Sequence, residues 1–434
     1  MEKATSQPSR PVGKQGRRKK KKEEAAQVGQ QRQSNESRSD KPNDTRGFFI
    51  LLIYYTNSLG TAQHVECRKA KKQCKPHMLN GHYIQWPNQK MEEYYLQNKK
   101  FIPKNIIFTR FQICGNHVFL VSPRFKEGVP FTLSSVTLNG NDQCYNYVRP
   151  FPSLVMSDVG GQEAIVNAVD IYMGQDGILW VLDIGIVNTI EDRPIKENDP
   201  KVLGINFGNG RIIHTIPLRP LICRVRSRLQ YIVVEYIGDN SPIIYVGDGG
   251  TRSIIVWNVD GKEGYKVKLP RTATISCTET GAEDMFYLVL IETPSCNYLY
   301  FTYLSSVDMF KVRTKDLRKR IHPKCIVNVG RKPCKMVIVG SAYGSVIYFR
   351  IKGMQNLYSW DTKESFLEEN MMVVKKSVDC RTITHIDVDN DGVLWELESN
   401  IDDYMRNTVG CYGASIVLKP IFGKSEPLQP CLTE

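Results

Sequence analysis

"DGILWVLDIG", at 176–185, has an echo further along the chain: 391–400 reads "DGVLWELESN". Both begin Asp-Gly-x-Leu-Trp-x-Leu. An Asp-Gly pair between apolar runs rich in β-branched and aromatic residues marks a tight turn joining two strands. The same unit of apolar strand, short polar turn and apolar strand recurs elsewhere. It reads "IIFTRFQI-CGN-HVFLVSP" (106–123), "NAVDIYM-GQDG-ILWVLDIG" (167–185), "YIVVEYI-GDNS-PIIYVGDG" (231–249), "MFYLVLIE-TPSC-NYLYFTYL" (285–304), "KMVIVGS-AYG-SVIYFRI" (335–351) and "TITHIDVD-NDG-VLWELES" (382–399). The echo is therefore one visible part of a sixfold repeat.

A lone hairpin cannot bury both of its faces. Further strands follow, as in "KVLGINF-GNG-RIIHTIPL" (201–218) and "SIIVWNV-DGKEG-YKVKLP" (253–270). Four short strands per unit, repeated six times, predict an all-β fold: a six-bladed β-propeller with four-stranded blades around a central channel. A pair of β-sandwiches gives no reason for six similar units. The first strand of each unit is expected to line the channel, which places Asp170, Glu235, Tyr287 and Asp387 there as ligand candidates. His385, beside Asp387, is the one weak catalytic candidate. The propeller is expected over 101–420, preceded by an N-terminal arm at 63–100 and followed by a tail at 421–434.

The formal charge of +13 is uneven: residues 1–62 hold 13 Lys/Arg against 6 Asp/Glu, leaving 45 against 39 in the remainder. The basic run 16–22 lies in a polar leader and is followed by "GFFILLIYYTNSLGTAQ" (47–63). Its apolar core is short for a membrane span, which needs ~20 residues, and suits a signal peptide cleaved after Ala62. The expected product is secreted, has no stable membrane span, and lacks the basic run, so nucleic acid is not an expected partner. All 12 cysteines lie beyond Ala62, an even count that fits disulfides in an oxidising compartment. Proximity alone offers Cys114–Cys144, Cys277–Cys296 and Cys325–Cys334 as candidate pairs. Cys67, Cys74, His77 and His82 lack the spacing of a zinc finger.

"SPRFKEGVPFTL" (122–133), "LWVLDIGIVNT" (179–189), "DPKVLGIN" (199–206) and the late "DGVLWELESN" occur in an order that resembles the insect yellow / major royal jelly protein family. The shared positions include Pro123, Arg124, Gly128, Pro130, Trp180, Asp183, Gly185, Asp248 and Trp395. The resemblance implies a secreted six-bladed propeller. "GVPFTL", "DIGIVNTIE" and "GDGGTRSIIVW" look closest to the yellow-g-type branch, which is associated with the eggshell. The chain lacks the cysteines that the family often carries before Leu-Trp-Val-Leu-Asp and before Pro-Lys, so the family's disulfides are not carried over.

Asp387, Asp389, Asp391, Gly392 and Glu398 match an EF-hand calcium loop, D-x-D-x-D-G-x5-E. Their flanks alternate like strands, where an EF-hand needs helices, so an acidic hairpin turn is the expected reading and no metal or cofactor is assigned. Arg124, Asp183 and Asp248 end second strands, where charges cap turns and tie blades together. The resemblance leaves three functions: a structural or maturation factor of the eggshell or a related matrix, with matrix proteins as partners; a dopachrome-converting enzyme; and a carrier of small aromatic amines in the channel. The sequence offers no catalytic constellation, so the first is expected.

Overall fold

The two Asp-Gly phrases build the same device twice. Gly177 and Gly392 both take a φ of +76°, a left-handed conformation that glycine adopts without a Cβ penalty. In the first turn Asp176 Oδ1 accepts from the Ile178 N–H. In the second, Asp389 Oδ1 accepts from the Asp391 and Val393 N–H groups. The tryptophan that follows is buried and pinned: Trp180 Nε1 donates to the Tyr236 hydroxyl at 3.0 Å and Trp395 Nε1 to Asp389 Oδ2 at 2.7 Å.

The computed structural model describes residues 76–138, 146–161, 163–238, 240–273, 284–320, 326–377, 379–421 and 426–427. The leader with its cleavage site, the 68–75 basic stretch, Cys67, Cys74, Cys144, Cys277, Cys325 and Cys431 lie outside them. Six antiparallel sheets form six blades in a ring. From the inner strand outward, blade 1 is Arg110–Cys114, His117–Val121, Leu133–Thr137 and Arg149–Pro150. Blade 2 is Ala168–Met173, Ile178–Asp183, Lys201–Asn206 and Ile212–Pro217. Blade 3 is Leu229–Ile237, Ser241–Asp248, Ser253–Asn258 and Glu263–Lys268. Blade 4 is Phe286–Ile291, Tyr298–Tyr303, Asp308–Arg313 and Val327–Arg331. Blade 5 is Met336–Ala342, Val346–Ile351, Leu357–Asp361 and Met371–Lys375. Blade 6 is Thr382–Val388, Leu394–Ser399, Ile416–Pro420 and His77–Leu79.

Each blade is sandwiched between two others, which is why the strands read as continuous apolar runs rather than alternating ones. Along Ile178–Asp183, Leu179 and Val181 pack with Phe119 and Val121 of blade 1, while Trp180 and Leu182 pack with Val234 of blade 3.

The ring closes with a strand from the other end of the chain. His77–Leu79 pairs with Ile416–Pro420, and Leu79 is buried. Part of the N-terminal arm, His77–Leu79, is thus the outer strand of the last blade. It continues into a helix, Gln89–Gln97, whose first turn is capped by the Asn88 side chain accepting from the Met91 N–H. At the other end, Glu426–Pro427 adds a fifth strand to blade 5, so the expected tail also contributes to a sheet.

Candidate functional site: an axial pocket

Facing edges of the inner strands lie too far apart to pair directly, and their N–H groups need other partners. Side chains of the neighbouring blade supply them. Gln112 accepts from the Met173 N–H at 2.6 Å, Asp170 from Ile232 at 2.9 Å, Gln230 from Phe286 at 2.9 Å and Asp387 from Ile113 at 2.8 Å. Asp170 and Asp387 therefore line the axis, where each spends a carboxylate oxygen on tying two blades together.

Between the inner strands lies a cavity of about 350 Å³. Arg110, Asp170 and Tyr231 line one end; Gln112, Tyr172, His385 and Asp387 line the wall; Glu292 and Gly344 lie at the hairpin-turn end. Arg110 is fully engaged. Its Nε lies 3.4 Å from Asp170 Oδ1, one Nη donates to the Thr384 carbonyl at 2.7 Å, and the other donates to the Tyr231 hydroxyl at 2.9 Å. The Tyr287 ring packs against Tyr231, 5.6 Å between centroids, behind this plug.

Burial sets the protonation of the pocket. It raises the Asp170 carboxyl to about 6, against the pull of Arg110. It raises Asp387 to about 7, against the bonds from the Ile113 and Val388 N–H groups. Glu292 is raised by burial and then by the charge of Glu235. His385 is pushed well below its ordinary range by burial and then by Arg110. Its ring stands edge-on to Phe111, and its Nδ1 lies 3.5 Å from the Phe111 N–H. A neutral histidine of this kind does not cycle a proton near pH 7; Asp387 is the group matched to that pH.

Glu235 is not in the channel. It is 1 % exposed and points between blades 3 and 4, accepting from the Tyr245 hydroxyl at 2.7 Å, Asn297 at 2.9 Å and Thr314 at 2.7 Å, and pairing with Arg318. A buried carboxylate needs such partners; Tyr245 comes from its own blade, and Asn297, Thr314 and Arg318 come from the blade 4 segment. Arg110, Gln112, Tyr172 and Glu292 were missed. The polar residues that interrupt the apolar run "TRFQIC" were the available signal for Arg110 and Gln112.

Of the residues that carry the resemblance, Trp180 and Trp395 pack within strands, and the others hold the loops between blades. Arg124 is 5 % exposed, and its guanidinium donates to five carbonyls: Val129, Pro130, Ser157, Ile165 and Val166. Burial lowers it to about 10. Gly128 has a φ of +72°, and a Cβ there would stand 2.4 Å from Ile102 Cγ1. The Pro130 carbonyl takes one Arg124 bond, and the Pro123 carbonyl accepts from the Phe125 N–H. Asp183 accepts from the N–H groups of Val166, Asn167 and Gly185. Asp248 accepts from Ser227, Arg228, Thr251 and Lys266. Burial pushes its carboxyl up, but these bonds outweigh burial and leave it below its ordinary value.

The calcium-loop residues are dispersed. Asp387 holds blade 1, Asp389 holds its own turn and Trp395, and Glu398 is buried against Lys375 and Lys419. Each candidate cysteine pair has one member outside the described residues, and neither Cys114 nor Cys296 forms a disulfide with a described residue. His77 faces Asn146 and Trp395, and His82 packs near Tyr412. No helix among the described residues is long and apolar enough to cross a membrane.

These features define a six-bladed β-propeller with a small polar pocket on its axis and interblade loops pinned by buried charges. The chain belongs to the major royal jelly protein family, whose family model matches residues 166–414. It is 20 % identical over 299 residues to the yellow-related salivary protein ASP2 of Phlebotomus orientalis, covering 64 % of this chain and 75 % of that one. It is 24 % identical over 208 residues to major royal jelly protein 7 of Apis mellifera, covering 44 % and 45 %. It is 29 % identical over 103 residues to protein yellow of Drosophila erecta, covering 24 % and 19 %. The matched region thus spans less than half of the royal jelly relative and about a fifth of protein yellow.

Proposed function

We propose that this protein is a secreted structural or maturation factor of an insect extracellular matrix, specifically the eggshell. The observation that carries the reading is the use made of its buried charges. Arg124, Asp183, Asp248, Asp170 and Glu235 each have their hydrogen-bonding capacity taken up by the protein's own backbone and side chains. Such residues hold a durable scaffold together and offer little to a substrate. Relatives named for saliva and royal jelly support secretion. The likeness of "GVPFTL", "DIGIVNTIE" and "GDGGTRSIIVW" to the yellow-g-type branch supports the eggshell. Loss of the protein is expected to leave eggs that are mechanically weak or permeable; eggs of normal strength and permeability would refute the role.

A second reading, an amine carrier, has its own foothold: Glu292, Asp387 and Tyr172 in the pocket present acidic and aromatic groups to a small cation. Against it stands Arg110, a fixed positive charge lining the same cavity. Calorimetry with serotonin and dopamine is expected to show little or no binding. Submicromolar affinity lost in Glu292→Gln or Asp387→Asn would promote the carrier reading over the matrix one.

A further inference from the structure

Blade 3 carries a rigid cationic face on the side of the interblade loops. The loop "CRVRSR" (223–228) leads into its inner strand, and Arg224, Arg226 and Arg228 are exposed. The Arg226 and Ser227 N–H groups donate to the Cys223 carbonyl at 3.1 and 2.8 Å, which closes the loop into a tight turn. The buried Asp248 then anchors it, accepting from the Ser227 hydroxyl at 2.6 Å and the Arg228 N–H at 2.8 Å. The Gly249 N–H returns a bond to the Arg228 carbonyl at 2.9 Å. At Gly250 a Cβ would stand 1.8 Å from the Arg226 carbonyl oxygen, so only glycine lets the loop lie this close to the turn at 249–252.

That turn adds Arg252, exposed and held at a φ of +53°, a conformation disfavoured for a side chain of its size. Beside it, Lys268 on the outer strand is exposed; it sits next to Leu269, whose N–H donates to the Arg252 carbonyl, and lies opposite Ser253 in the sheet. Among the described residues no carboxylate forms an ion pair with Arg226, Arg228, Arg252 or Lys268. The nearby Asp248 is buried and pairs with Lys266. The backbone thus places four cations, Arg226, Arg228, Arg252 and Lys268, on one small surface; the Arg226 side chain also reaches the Cys223 thiol.

We propose that this face binds a sulfated polysaccharide. A guanidinium is planar and pairs in bidentate fashion with tetrahedral or carboxylate oxyanions, and three of the four cations are arginines. Holding the backbone that carries them before the partner arrives removes the loop's share of the ordering cost of binding. A sulfated chain needs only spaced cations. An acidic peptide would also use apolar anchors, and the loop offers a single exposed apolar side chain, Val225. The proposal names a partner class for the matrix role above and rests on that role only for where the polymer is met. Binding in vitro tests the face, whereas egg phenotype tests the role.

The test is the affinity of the purified mature protein for heparin across a salt series. Two variants are compared with it: Arg226→Gln/Arg228→Gln/Arg252→Gln, and a control that removes three exposed lysines elsewhere, Lys90→Gln/Lys352→Gln/Lys363→Gln. All three proteins should melt at similar temperatures, because the loop is held through backbone atoms. The arginine variant should bind at least tenfold more weakly, and its plot of log affinity against log salt should flatten by about three, one for each lost contact. The lysine control should stay close to the parent. Equal weakening in both variants would show diffuse attraction by net positive charge and overturn the proposal. Poly-glutamate binding as tightly as heparin would overturn it in favour of an acidic polypeptide partner.

Discussion

Asp387 shows how much one residue decides. In sequence it belongs to an apparent calcium loop; in the structure it crosses to the next blade and accepts from the Ile113 N–H. Its carboxyl, raised by burial to about 7, favours the protonated form in the fold. The stability this brings is fully present below the unfolded value and is lost as pH rises through about 7. Asp170, raised to about 6, acts in the same direction. His385 and His77, both lowered chiefly by burial, act oppositely: the unfolded chain takes up protons as pH falls below their ordinary value of 6.5. The melting temperature should therefore rise from pH 8 to about pH 6.5 and then level or fall. Asp387→Asn keeps an acceptor without the charge, so it should flatten the rise and match or exceed the parent at pH 8. A parent whose melting temperature falls between pH 8 and 6.5 would refute this. Arg124→Lys makes a contrasting case. Lysine offers three donors where five carbonyls wait, so we expect a loss of about 2–3 kcal/mol, measured by denaturant unfolding at pH 7.

At the scale of elements, hairpins were legible and the details between them were not. Turn residues and apolar runs marked all six inner pairs: five turns carry a Gly at φ > 0, and the blade 4 turn carries Pro and Ser instead. Which side chains face inward could not be counted the same way. The pairing register shifts within the inner strands of blades 2, 3, 5 and 6, between Ala168 and Asp170, Leu229 and Tyr231, Ile338 and Gly340, and Ile383 and His385. A bulge resets the alternation, and Glu235, beyond the one in blade 3, turned out to face blade 4. Glu235→Ala would strand Arg318 and three hydrogen-bond donors, costing about 3 kcal/mol; a loss of several degrees in melting temperature would confirm it, and an unchanged value would argue against the interblade role. The closing strand, His77–Leu79, was invisible because three residues carry no periodicity. Its importance is testable by hydrogen exchange. Leu79→Asp puts a charge where the side chain is 2 % exposed, and the amides of Ile416, Val417, Leu418 and Lys419 should lose protection before those of blade 3 do. Uniform loss across all blades would mean that the ring does not open at this seam.

For the whole molecule, fold and family followed from repeats and motifs spread along the chain, while the character of the site depended on how six distant strands meet. The motif residues that tempt a catalytic reading hold loops; the pocket is lined instead by Arg110, Gln112, Tyr172 and Glu292, which stand in no motif. The buried charges of this propeller hold its blades and loops together, and we propose that its axis runs no chemistry. The most direct measurement is dopachrome conversion by the purified mature protein near pH 7. His385 is held neutral and Asp387 is tied to blade 1, so the rate should equal the spontaneous one in the parent, in His385→Ala and in Asp387→Asn alike. Turnover well above the spontaneous rate, abolished by either substitution while the protein stays folded, would contradict the account.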